Sequence, residues 1–121
     1  MVLATCNKAK RLLFLSYIGQ VRRSDIERSR LDIEALIGQL SPGFRLLVDL
    51  TGLESMKLDC ADVIGDLMEV IDQSGVDMVV RVIPDPKKDI GMNILTIFHY
   101  QKRPRLLACR TMREAAVALA L

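Results

Sequence analysis

Tryptophan is missing from this 121-residue sequence, and aromatic residues make up only 4% of it. No platform of rings is available on which a sugar or an unpaired base would stack. Cysteine is scarce as well: Cys6, Cys60 and Cys109 are far apart, no C-x-x-C pair occurs, and His99 is the single histidine. That set argues against a disulfide framework and against a zinc site. No apolar run approaches the roughly eighteen residues of a membrane span, the longest being residues 115–121. The N-terminus has no apolar signal core with a small-residue cleavage site, so a cytoplasmic protein is expected. Charge of one sign is also wanting: 17 basic against 15 acidic residues leave +2, far too little to imply nucleic acid. The nucleophile elbow G-x-S-x-G, the phosphate loop G-x-x-x-x-G-K-[ST] and the dinucleotide fingerprint G-x-G-x-x-G are absent. No catalytic residue, metal ligand or cofactor is assigned on these grounds.

What is present is enough apolar residue for one core, 50% against 26% charged, in a length typical of one domain spanning residues 1–121. Val2 to Cys6 and Leu12 to Ile18, split by the basic turn 7–10, read as an opening hairpin. Ser24 and Glu27 have capping-box spacing, and Ile26, Ile33, Ile37 and Leu40 continue as a helix that Ser41, Pro42 and Gly43 stop. Phe44 to Leu50 is apolar on both faces, as in a strand covered above and below, and is placed centrally. Asp59 stands where it would cap the next helix, whose stripe is Val63, Ile64, Leu67, Met68 and Ile71 before Gly75. Met78 to Ile83 reads as a second buried strand, Ile90 to Tyr100 as a less regular helix, and Leu106 to Arg110 as another strand of the same pattern. Thr111 and Glu114 form a second capping box, opening an alanine-rich last helix. The spacing predicts an α/β fold: one open sheet of mostly parallel or mixed strands with an N-terminal hairpin and about four helices.

That element order, with Val48-Asp49-Leu50-Thr51-Gly52-Leu53 closing the central strand and Thr111-x-x-Glu114-Ala115 opening the last helix, resembles the STAS domain. This is the SpoIIAA-like family of bacterial anti-sigma factor antagonists and of the cytoplasmic tails of sulfate transporters. The resemblance implies the fold, a lack of catalytic activity, and binding of a regulatory protein, anti-sigma or kinase-like, through the loop and helix after the central strand. It also implies a phosphorylated serine there. Counted from Asp49, that position is Leu58, and the aspartate before it is Lys57. The usual phosphoswitch is therefore absent, and Ser55 or Thr51 is the remaining hydroxyl for modification.

The residues expected to carry partner binding are Thr51, Ser55, Lys57, Asp59, Asp62, Asp66 and Glu69. The last three fall at i, i+4 and i+7 on one helix face, either a solvated surface or an acidic docking surface for a basic partner. The alternative is a small-ligand module for a nucleotide or a lipid. It would use Asp49, Thr51 and Asp85 in the crevice between the central strand ends and the Ile90 to Tyr100 helix. Asp49 equally suits a backbone cap. Cys60 lies near a helix start, where a dipole favours thiolate, but Asp59 and Asp62 oppose it. His99 lies off its helix's apolar stripe. The basic residues Lys102, Arg103, Arg105, Arg110 and Arg113 belong to different elements and read as ordinary solubility, or as a charge that orients a dimer or attracts an anionic partner. A homodimer is open to the chain because Val2 to Cys6 or a neighbouring strand would leave an unpaired sheet edge.

Overall fold

Two strands buried on both faces, β2 (Leu12–Tyr17) and β4 (Arg45–Asp49), lie side by side in a five-stranded sheet. Strands covered above and below carry such unbroken apolar runs. The computed structural model describes residues 1–85, 95, 96 and 99–121. With β1 (Val2–Asn7), β6 (Met78–Val82) and β7 (Arg105–Cys109) the sheet order is β1-β2-β4-β6-β7, so β4 is central as its composition predicts. β1 runs antiparallel to β2 in the expected hairpin, with Val2 opposite Tyr17, and every other pairing in this sheet is parallel.

Helices α1 (Arg23–Ile37) and α2 (Ala61–Gln73) cover one face of the sheet and α3 (Met112–Ala118) the other. The larger core joins Leu13, Leu15, Leu46 and Val48 of the sheet to Ile26 and Ile33 of α1 and Ile64, Leu67 and Ile71 of α2. The smaller one sets Ala115 and Leu119 on Leu12, Leu47, Val80 and Val82. Gly75 ends α2 at φ +88, a conformation in which a side chain would be strained, and its carbonyl accepts the Gly43 N–H at 2.7 Å.

Four local expectations need correction. First, α1 begins earlier than the Ser24 and Glu27 pattern suggests. Arg22 is the N-cap, and Asp25 returns to accept its N–H at 2.9 Å. Glu27, already inside the helix, pairs with Arg23 at 2.8 Å. Second, Asp59 does not cap α2: it lies in a 3-10 turn, Leu58–Cys60, that leads into the helix, and no side chain caps the start. Third, two short strands, β3 (Gly19–Val21) and β5 (Leu53–Met56), form a separate parallel pair. Three and four residues are too few to show periodicity, and Gly19 at φ +69 provides the bend that takes the chain out of the main sheet. Fourth, β7 is an edge strand and not a buried one: Arg105 to Ala108 are all exposed.

The second capping box half holds. The Thr111 hydroxyl accepts the Glu114 N–H at 3.1 Å, but the Glu114 carboxylate takes the Arg110 N–H instead of that of Thr111. The described residues contain three α-helices. The expected helix Ile90 to Tyr100 falls largely outside them; of its residues Leu95, Thr96 and His99 are helical. No described helix is long and apolar enough to cross a membrane.

Candidate functional site

The carboxyl end of β4 sets the origin of the site. Asp49 is a backbone cap there: its Oδ1 accepts the Thr51 N–H at 2.9 Å, a local turn that Asp forms readily. The chain passes through β5 and the 3-10 turn into α2, while β3, paired with β5, leads into α1. The start of α1 and the approach to α2 are thereby held against each other. Arg23 binds them: its guanidinium donates to the Asp59 carbonyl at 2.8 Å and to Asp62 Oδ1 at 2.5 Å, and its Nε meets Glu27 at 2.8 Å. The hydrogen bond from Arg23 is the main reason the Asp62 carboxyl is held below its ordinary range. Asp25 is likewise lowered, chiefly by the Arg22 N–H that it accepts.

Between these elements opens a cleft of about 560 Å³ lined by Gln20, Val21, Arg22, Arg23, Ser24, Glu27, Ser55, Lys57 and Asp59. Three of the residues selected from sequence, Ser55, Lys57 and Asp59, therefore converge on one cavity. Its other wall, the start of α1, was not foreseen, because nothing in the sequence announces that β3 pairs with β5. At the tip of the turn beside the cleft stands Leu58, 94% exposed. The turn is not slack: the Cys60 N–H bonds the Lys57 carbonyl at 3.1 Å, and Arg23 holds the carbonyl of Asp59.

Asp62, Asp66 and Glu69 do share the outer side of α2, but two of them have structural work. Asp62 is tied to Arg23. Glu69 receives His99 Nδ1 at 2.8 Å, and since a carboxylate only accepts, Nδ1 carries the proton. The His99 ring lies over Gly65, where an added Cβ would come within 2.5 Å of Nε2. This contact explains a glycine in mid-helix and a histidine off the apolar stripe. Asp66 is exposed. Cys60 is buried, and burial first, then Asp59, pushes its thiol up, so it is no reactive thiolate.

The crevice expected for a small ligand, between the central strand ends and the Ile90 to Tyr100 helix, lies largely outside the described residues. Under α2, the space bounded by Leu15, Tyr17, Leu67, Arg81, Thr96 and Tyr100 measures about 20 Å³, room for one water, and neither Asp49, Thr51 nor Asp85 lines it. Burial pushes the Tyr17 hydroxyl up to about 12. Asp85 is exposed after β6. The three cysteines are unpaired, and no cluster of metal-binding side chains occurs among the described residues.

The lowered carboxyls make acid sensitivity testable. A group whose pKa is lower in the folded state adds stability above its ordinary value, here 3.8, and that stability is lost as the pH falls toward the folded value. Urea midpoints followed downward from neutral pH are expected to fall less steeply for Asp62→Asn than for the wild type. Equal slopes would mean that the Arg23 contact contributes nothing to the folded state.

The sequence matches no protein-family model and no curated protein. Solved structures match over almost the whole chain. An uncharacterised protein with a SpoIIAA-like fold from Shewanella loihica superposes with a TM-score of 0.73 at 17% identity, over 98% of this chain and 93% of the other. The Bacillus cell fate determinant SpoIIAA in its phosphorylated form gives 0.64 at 12%, over 98% and 99%. An anti-sigma factor antagonist from Mycobacterium paratuberculosis gives 0.61 at 16%, over 100% and 96%. The chain has the SpoIIAA-like fold.

Proposed function

We propose that this protein is a non-catalytic, cytoplasmic regulatory module that binds another regulatory protein, as its resemblance to anti-sigma factor antagonists implies. The contact surface is residues 51–60 together with the outer side of α2. The observation that carries this reading is Leu58: a large apolar side chain, 94% exposed, held on a hydrogen-bonded turn beside a cleft. An isolated exposed leucine is ordinary, but one carried on a hydrogen-bonded turn has the ordering cost of its backbone already met. Lys57, Asp59, Ser55 and Thr51 surround it, with Asp62, Asp66 and Glu69 along the adjoining helix. A partner of the kinase-like or anti-sigma kind would bury Leu58 and place basic groups against the acidic side of α2.

Leu58 also occupies the position at which the resemblance puts a phosphorylated serine, so binding is not switched by phosphate at that point. Of the two hydroxyls nearby, Ser55 lines the cleft. Association of two copies would present two such surfaces at once.

Affinity capture from lysate of the cells that produce the protein, read by mass spectrometry, tests the reading with wild-type and Leu58→Asp baits. A regulatory protein retained by the first and lost by the second is expected. Retention by both removes Leu58 from the interface. The cleft's volume also favours a second reading, a small ligand bound there whose anionic groups would meet Arg22 and Lys57 beside the carboxylates of Glu27 and Asp59. In that case neither bait retains a protein, and a nucleotide raises the melting temperature of both.

A further inference from the structure

Strand β7 does not match its place in the sheet. Its middle reads Leu106, Leu107, Ala108, the apolar run of an interior strand, yet it lies at the edge. Leu106 is 43% and Leu107 40% exposed, and because successive side chains alternate, they are bare on opposite faces of the sheet. Natural edge strands are blunted by charge, proline or a bulge. β7 pairs with β6 in unbroken register from Arg105 to Cys109, and its only charge is Arg105 at the first position, which Asp77 holds at 2.9 Å. The opposite edge is built otherwise: β1 alternates strictly, turning Val2, Ala4 and Cys6 to the core and Leu3, Thr5 and Asn7 outward.

We infer that β7 is the seam of a two-fold homodimer, in which the strands of two copies pair antiparallel and join their sheets into one of ten strands. The backbone fixes the register. The Arg105 N–H bonds Asp77 and the Cys109 carbonyl accepts from Ile83, so residues 105, 107 and 109 direct their backbone groups toward β6. Leu106 and Ala108 direct theirs outward. Antiparallel pairing that uses both outward residues sets Leu106 opposite Ala108 of the other copy and Leu107 opposite its own symmetry mate, with four hydrogen bonds across the axis.

The strand is self-complementary in that register, and this identifies the occupant as a second copy. On one face the large Leu106 meets the small Ala108; on the other the two Leu107 side chains meet at the non-hydrogen-bonded position, where side chains are closest. Arg105 falls opposite Cys109, so no like charges face each other directly. Beside the strand lies a cavity of about 520 Å³ lined by Thr96, Tyr100, Gln101, Arg103, Pro104 and Leu106, space that an approaching copy would enter. Arg103, Arg105 and Arg110 of the two copies repel at longer range, so the dimer is expected to tighten with added salt.

Analytical ultracentrifugation across a concentration series, with backbone amide exchange by NMR, tests this on the purified protein. The wild type is expected to show a monomer–dimer equilibrium in which the Leu106 and Ala108 amides become protected as dimer forms. Leu107→Lys sets two cations at the axis and is expected to weaken the dimer at least about tenfold, each tenfold being 1.4 kcal/mol. Because Leu107 is exposed in the monomer, the fold should be unchanged by circular dichroism. Leu3→Lys, on the other edge, is expected to dimerise as the wild type does. A wild type that stays monomeric, a dimer that survives Leu107→Lys, one lost with Leu3→Lys, or unprotected Leu106 and Ala108 amides in the dimer would each overturn the inference.

Discussion

Gly65→Ala is expected to lower the melting temperature, although alanine ordinarily stabilises a helix by about 1 kcal/mol over glycine. Gly65 lies in the middle of α2, buried, with the His99 ring directly above it. A methyl group there would stand 2.5, 2.7 and 2.9 Å from three ring atoms, well inside contact distance. The ring must move, and with it goes the hydrogen bond from Nδ1 to Glu69, which ties α2 to the segment carrying Leu95, Thr96 and His99. Losing a charge-assisted bond costs about 1.5–3 kcal/mol, more than the helix gains. A net loss of about 1 kcal/mol corresponds to roughly 4 °C in a domain of this size. In a His99→Ala background the obstacle is gone, so the same substitution should raise the melting temperature. The reversal of sign is the decisive result, because a double-mutant cycle isolates the coupling of the two positions. Stabilisation by Gly65→Ala in both backgrounds would mean that the ring yields without cost.

Positions 65 and 99 also show where sequence reading stops. The stripe Val63, Ile64, Leu67, Met68 and Ile71 defined α2 because a 3.6-residue period depends only on the chain itself. The apolar runs of β2, β4 and β6 likewise marked a parallel sheet, and Gly75 marked a helix end. A glycine whose purpose is to admit a ring from thirty-four residues away leaves no periodic trace. The same is true of Arg23, whose three acceptors lie on three elements, and of β3 and β5, which are strands only because they found each other. The acidic residues Asp62, Asp66 and Glu69 were legible as one helix face, but their separate duties were not. Two of them hold neighbouring elements in place, so reversing all three charges would disturb the fold and confuse a binding test. β7 failed in the opposite way. Its apolar composition is that of a covered strand, yet among the described residues it lies at the sheet edge with Arg105 to Ala108 exposed.

Leu58→Asp, by contrast with the charge reversals, removes a side chain that touches almost nothing. At 94% exposure its replacement should leave stability within about 0.5 kcal/mol of wild type. Binding of the captured partner should weaken roughly a hundredfold, since a desolvated apolar anchor is worth about 2–4 kcal/mol at the centre of an interface and a buried aspartate adds its own penalty. The loss should appear in the dissociation rate, because short-range packing is made after encounter. Asp66→Lys should behave differently. Asp66 is exposed at the rim, so its reversal should slow association, and the deficit should shrink as salt screens the encounter. Surface plasmon resonance of both variants at two salt concentrations separates these effects. Slow association with unchanged dissociation for Leu58→Asp would make the leucine a bystander and move the anchor elsewhere on the surface. Fast dissociation for Leu58→Asp, with a salt-dependent association defect for Asp66→Lys, would assign the turn to holding the partner and the helix face to drawing it in.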